Sequence, residues 1–219
     1  MGSNENIASA DFLYDRNGKV WVDTSGIDWA PHDDGEKYDS GFLRAEKINN
    51  VASVLKKRGN FLTTEGVFLE ITYSRDYCKS CERGIGKAIK DRKRHYVKDN
   101  GYFISATKNN KRKYSDWVRA YNRLLSCLEE GVELYSPKEL QLDLDDINDY
   151  VNGIDNKRGY ELSDVDKGVI VSAISAGDRN GVLTADSSLI TMFSMGVRKF
   201  KLKDCFISNS MNRVSYPVL

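Results

Sequence analysis

Residues 162–189 constrain the fold more than any other stretch of the chain. Ser163 predicts a helix N-cap, and Val165, Val169, Ile170, Ala173, Ile174 and Ala176 then recur at helical spacing until Gly177 ends the run. A turn over Asp178 to Gly181 leads into Val182-Leu183-Thr184, too short and too β-branched for a helix, hence a buried strand. Asp186 stands just past that strand, and Ser187 to Met195 read as the next helix. Helix, strand and helix within so few residues imply an open α/β sheet covered on both faces. Such sheets bind ligands beyond the carboxyl ends of their strands, which is where Asp186 falls.

The other segments fit that frame. Residues 1–11 are polar and read as disordered, and Asn17-Gly18 marks a hairpin turn between Phe12–Tyr14 and Val20–Val22. The second of these strands runs out at Asp23, and a polar loop through Pro31 follows. Phe42 to Lys57 predicts an amphipathic helix ended by Gly59, Phe61–Thr63 a strand, and Thr64 the cap of a helix carrying Glu70. Gly84, Gly86 and Asn100-Gly101 are expected to break the next helical segment. Ser115 is expected to cap a helix with Trp117, Tyr121, Leu124 and Leu128 on one face. Val132–Tyr135 reads as a strand, residues 138–152 as a helix opened by Ser136-Pro137, and Lys199–Leu202 as the last strand. At 219 residues this is one domain, or one with a large insertion, long enough for a real core. The chain opens without an apolar leader and holds no membrane-length stretch, so a soluble, cytoplasmic protein with no membrane partner is expected. Four scattered cysteines, with Cys78 and Cys81 as a lone Cys-x-x-Cys, read as ordinary reduced thiols.

The net charge of +1 conceals an asymmetry. Residues 82–113 hold 11 basic against 3 acidic residues, an excess of 8. The rest, with 22 basic and 29 acidic residues, carries −7. Such a block points to a polyanionic partner, with a solvated lysine-rich surface as the plainer explanation.

Four acids occupy comparable places: Asp23 and Asp186 at strand ends, Asp166 in a helix's first turn, Glu70 inside an apolar helical segment. Each of the aspartates also has a local explanation, as an N-cap or as the third-position partner of Ser163. Glu70, set among Val67, Phe68, Leu69 and Ile71, requires a partner once its helix packs. Four converging carboxylates would repel and protonate, and a divalent cation with oxygen ligands, Mg²⁺ or Mn²⁺, relieves that conflict. Asp164 competes with Asp166, but two residues apart on a helix they point about 200° apart. Asp166 is the better ligand by its distance to the apolar run. Paired histidines for a metal-free ribonuclease are not available, since His32 and His95 lie in unrelated segments.

At these residues the sequence resembles the PIN-domain nucleases. The matching pieces are residues 20–25 around Asp23, 62–71 around Glu70, 162–173 around Asp166 and 182–186 ending at Asp186, in the family's order. The resemblance covers about residues 18–72 and 132–204 and is closest to archaeal ribosome-maturation nucleases, whose zinc ribbon has no counterpart here. It implies an α/β, PIN-like three-layer sandwich with a mostly parallel central sheet and helices on both faces, plus a basic helical insertion. The expected divisions are 1–11, 12–74, the insertion at 75–130, 131–204 and a tail at 205–219. It implies a metal-dependent endoribonuclease, acting in RNA processing or as a toxin-type ribonuclease. Asp23, Glu70, Asp166 and Asp186 would hold Mg²⁺ or Mn²⁺ directly or through water, with Asp164 as the alternative ligand and Ser25 and Thr184 behind them. Lys87, Lys90, Arg92, Lys93, Arg94, Lys111, Arg112 and Lys113 would track the phosphates of single-stranded RNA, with Tyr96, Tyr102 or Phe103 as stacking surfaces or as core. A protein inhibitor or a second copy of the chain is the other occupant of such an arm. A catalytically silent module that binds RNA or protein and a structure-specific DNA nuclease are the alternative functions.

Overall fold

Short runs of Val, Leu, Ile and Phe form the strands of one sheet in the computed structural model of the chain. The structure describes residues 19–27, 40–57, 61–91, 95–99, 102–131, 133–134, 144–158, 162–208 and 216–217. In chain order the elements are β1 (Lys19–Val22), α1 (Thr24–Ile27), α2 (Ser40–Lys57), β2 (Phe61–Thr63), α3 (Glu65–Asp91), β3 (Tyr96–Asp99) and β4 (Tyr102–Ser105). Then follow α4 (Lys108–Gly131), β5 (Glu133–Leu134), α5 (Leu144–Arg158), α6 (Asp164–Ser175), β6 (Asn180–Leu183), α7 (Ser187–Lys199), β7 (Phe206–Ser208) and β8 (Tyr216–Pro217).

The main sheet has the order β5-β2-β1-β6-β7-β8. Its first five strands are parallel and β8 pairs antiparallel with β7. Val20, Trp21 and Val22 of β1 lie opposite Gly181, Val182 and Leu183 of β6, and all six are buried. Unbroken burial of this kind is what strands covered on both faces require. The chain moves from β1 outward through β2 to β5, then returns to the far side of β1 for β6 and β7. α4 packs against α2 and α3, while α5, α6 and α7 pack against one another. Right-handed crossovers put these two groups on opposite faces of the sheet when the direction reverses, an α/β arrangement consistent with three layers. The carboxyl ends of β1 and β6 meet at that reversal, the place where open α/β sheets leave a crevice.

Several local expectations are corrected. Gly84 and Gly86 do not interrupt α3. A helical glycine costs about 1 kcal/mol, and here the missing side chains admit neighbours. A Cβ on Gly84 would stand 3.2 Å from Val97 Cγ1, and one on Gly86 3.4 Å from Lys111 Cε. The basic segment is not wholly helical, because Tyr96–Asp99 and Tyr102–Ser105 form the antiparallel pair β3–β4 between α3 and α4. α4 begins at Lys108 rather than at Ser115, since Thr107 accepts hydrogen bonds from Asn110 N through its hydroxyl and from Lys111 N through its carbonyl. Lys199–Leu202 is the end of α7 and not a strand. Lys201 N donates to Arg198 O, Leu202 N donates to Val197 O, and Lys201 takes φ 56°, so the alternating Lys-Phe-Lys-Leu is a Schellman closure. The basic segment does not stand apart either: Ala120, Tyr121, Leu124 and Leu128 of α4 belong to the same apolar core as Trp21 and Phe193. The expectations for residues 1–18, the Pro31 loop, Gly59 and Ser136-Pro137 lie outside the described residues.

Candidate functional site

The reversal point is built from the residues that follow β1 and β6. Asp23 N donates to Leu183 O at 3.0 Å, extending the pairing of β1 with β6 by one residue. The chain then turns into α1, with Gly26 N on Asp23 O at 3.1 Å. Gly26 is required here, because a Cβ would collide with the Leu183 carbonyl. The Asp23 carboxylate is thereby carried into the interior, only 2% exposed.

Asp23 Oδ2 accepts three hydrogen bonds: from Ser25 Oγ at 2.5 Å, Thr184 Oγ1 at 2.8 Å and Ser25 N at 3.2 Å. The two hydroxyls are 3.0 Å apart, and each also accepts a backbone N–H, Ser25 Oγ from Ala185 N and Thr184 Oγ1 from Asp186 N. With those donors in place both hydroxyl protons point at Asp23. Ser25 and Thr184 therefore stand behind the first acid, as their sequence positions suggested, and clamp the two strand ends together. Across the cleft Thr24 Oγ1 donates to Glu70 Oε2 at 2.5 Å, tying α1 to α3.

Burial is the main cause that raises the Asp23 carboxyl above its ordinary value, with the Asp166 charge adding to it against the lowering hydrogen bonds. Glu70 is raised as well, first by burial and then by the charges of Asp23 and Asp166, while the Thr24 hydrogen bond lowers it. Three acids from β1, α3 and α6 thus sit within electrostatic reach of one another. Asp164 is exposed, and the Asp166 charge is the one felt at Asp23 and Glu70.

The aspartates also fill their local roles. Asp166 Oδ2 accepts from Ser163 N at 3.0 Å and Ser163 Oγ at 2.7 Å, a complete capping box for α6. Asp186 Oδ1 accepts from Ser188 N at 2.7 Å and Leu189 N at 3.1 Å as the N-cap of α7. Its backbone N–H, through Thr184, links it to Asp23. Among the described residues, the hydrogen bonds that reach these four carboxylates fall on Asp23 Oδ2, Glu70 Oε2, Asp166 Oδ2 and Asp186 Oδ1. Yet no three His, Cys, Asp or Glu side chains among the described residues are close enough to hold an ion together. Carboxylate oxygens are the donor chemistry that Mg²⁺ or Mn²⁺ takes, and any ion held by fewer than three of them would keep most of its water shell.

On the basic side, Lys87, Lys90, Lys111 and Arg112 are exposed. Lys113 is half-buried with Nζ 4.9 Å from the centre of the Trp117 ring, a cation–π contact within the fold. Arg92, Lys93 and Arg94 lie outside the described residues. Tyr96 and Phe103 are not core residues, and the side chain of Tyr102 is not among those described. Sequence reasoning missed Tyr73 and Tyr77, one and two turns beyond Glu70 on α3 and both exposed. The signal available was the four-residue spacing of two aromatics within a helix whose other apolar residues lie on the opposite face. Cys78 and Cys81 face inward on α3, and none of the four cysteines forms a disulfide. No described helix is long and apolar enough to cross a membrane. Compared with protein-family models, curated protein sequences and solved structures, the chain matches none of them.

Proposed function

We propose that the chain is a metal-dependent endoribonuclease of PIN-like architecture, hydrolysing RNA phosphodiester bonds at the sheet edge that carries Asp23, where the charges of Glu70 and Asp166 are felt and Asp186 follows β6. The observation that carries this reading is the shared environment of Asp23 and Glu70. They come from different elements, both are raised by burial, and each feels the charge of Asp166. Buried, mutually repelling acids cost stability, and a fold tolerates them where a cation or a reaction uses them. Support also comes from the position at the strand reversal and from the resemblance of the four motifs.

Asp23 Oδ1 and Glu70 Oε1 would hold the ion, with Asp166 and Asp186 reached through its water. A bound Mg²⁺ or Mn²⁺ supplies a water of lowered pKa and offsets charge on the pentavalent phosphorus. The protein's own part is placement. Ser25 and Thr184 fix the Asp23 carboxylate, Thr24 fixes Glu70, and the burial of Asp23 keeps water from screening its charge.

The test is cleavage of labelled RNA by wild type and by Asp23→Asn, each with Mn²⁺ and with EDTA, alongside thermal unfolding in the same buffers. Cleavage is expected only for wild type with Mn²⁺. Because a ligand that binds only the folded chain stabilises it by about 2.7 kcal/mol at a hundredfold excess over Kd, Mn²⁺ should raise the wild-type Tm and leave Asp23→Asn unmoved. Cutting that persists in EDTA removes the metal mechanism.

A specific observation favours a second reading, a catalytically silent module that binds RNA or protein. All three aspartates are engaged in local hydrogen bonds at helix starts, and no three acids among the described residues form a ligating set. That reading expects no Mn²⁺-dependent change in Tm and no cleavage.

A further inference from the structure

The exposed aromatic residues among those described lie on two elements that pack together, α3 and the β3–β4 pair. Large apolar side chains in water are individually unremarkable, but a continuous line of them marks a binding surface. Tyr73 is 70% exposed and Tyr77 39%, and they follow Glu70 at three and seven residues along α3. Positions 70, 73, 77 and 84 recur on one side of a helix, so the line from Glu70 over the two tyrosines arrives at Gly84. Gly84 is where Val97 of β3 packs, the missing side chain letting the β3–β4 pair sit down on the helix. With Val97 turned toward α3, strand alternation sends Tyr96 and Lys98 to the other side. Lys98 lies opposite Phe103, so Tyr96, Lys98 and Phe103 share that outer face. Tyr96 is 60% and Phe103 71% exposed.

Two features identify the occupant. The aromatic faces can stack any base, and their surroundings are cationic: residues 82–113 carry an excess of 8 positive charges, and Lys87 and Lys98 are exposed beside the line. The line starts at an acid, Glu70, and Asp76 on the same helix is paired with Arg75 at 3.0 Å. A nonpolar protein partner would not call for this excess of positive charge, and an A-form duplex does not present its bases for stacking.

We propose that Tyr73 and Tyr77 on α3, continued by Tyr96 and Phe103 on the β3–β4 pair, form a stacking track for single-stranded nucleic acid, with Lys87 and Lys98 on its phosphates. The track begins beside Glu70. It therefore rests on the nuclease reading for what happens at that end, but not for binding itself.

Binding of fluorescein-labelled oligonucleotides of about sixteen nucleotides, followed by anisotropy in EDTA, reads the track without cleavage. Losing two stacked bases should weaken binding at least tenfold in the Tyr73→Ala/Tyr77→Ala chain, while Tyr73→Phe/Tyr77→Phe stays close to wild type. Tyr96→Ala/Phe103→Ala should weaken binding of the long oligonucleotide and leave a tetranucleotide's unchanged or nearly so. Circular dichroism confirms that each variant keeps its helix content, and ultraviolet crosslinking of the wild type should map to Tyr73 or Tyr77. Tight binding of both single-stranded RNA and single-stranded DNA supports the track, and so does RNA alone. The proposal is overturned if both alanine pairs bind as wild type does, or if a duplex competes as well as a single strand. Should cleavage never appear while the alanine pairs still lose affinity, the nuclease reading fails and the track stands.

Discussion

Asp23 holds the balance between stability and use. Its carboxyl is raised by burial, so the unfolded chain ionises at the ordinary value near 3.8 while the folded chain ionises only at higher pH. The contribution of this group to stability is therefore full below that ordinary value and is lost as pH rises through the folded value. Glu70, with an ordinary value near 4.5, acts in the same direction. Asp23→Asn removes the penalty while keeping an oxygen for Ser25 and Thr184. Its Tm should exceed that of the metal-free wild type at neutral pH by about 2–4 °C. The difference should vanish toward about pH 4, as scanning calorimetry across a pH series would reveal. A wild type more stable than the variant at neutral pH without metal would show that the three hydrogen bonds to Asp23 outweigh its burial. At the other acid, Ser163→Ala breaks the capping box and should cost about 1 kcal/mol of stability in denaturant unfolding. The Mn²⁺-induced rise in Tm should persist in that variant, because Asp166 Oδ1 is not the oxygen that Ser163 engages.

At the scale of elements, the helices depend on close approaches that a single methyl group would block. Gly196 of α7 leaves room for the Ile174 side chain of α6, just as Gly26 leaves room for the Leu183 carbonyl. Overpacking of this kind costs about 1–3 kcal/mol, and more at Gly26, where the obstacle is backbone. Gly26→Ala should lower Tm further than Gly196→Ala, and Gly168→Ala, which meets nothing within 4 Å, should be neutral or stabilising. These contrasts also explain what could be read in advance. β1, β2, β6, α6 and α7 announced themselves because apolar runs and capping residues are local signals, and Asp23, Asp166 and Asp186 were legible as strand-end or first-turn acids. The β3–β4 pair was hidden by the basic residues on either side of it, whose charge resembles that of an exposed helix. α3 runs through two glycines because tertiary packing overrides propensity. Lys201 in the left-handed region could not be anticipated where glycine is the usual choice. The capping engagement of Asp166 and Asp186 was foreseen residue by residue. Whether they also turn toward Asp23 depends on how α6 and α7 pack, which no local pattern encodes.

For the molecule as a whole, charge is divided along the chain: the segment around the β3–β4 pair is cationic, and the remainder is net negative. A single strand bound to the cationic part should lose affinity linearly in log salt, the slope falling by about 0.7 for each phosphate-contacting lysine removed. Lys87→Ala and Lys98→Ala are the substitutions to compare, against Lys199→Ala on α7 as the control. The same whole-molecule view applies to the four thiols. Cys78, Cys81, Cys127 and Cys205 are all buried, and burial pushes the Cys205 thiol up to about 11. A thiol so shielded reacts only when its surroundings open. Four native reporters are thus already installed, two on α3, one on α4 and one ahead of β7, and alkylation rates measured peptide by peptide would rank how readily each region breathes without any engineered label.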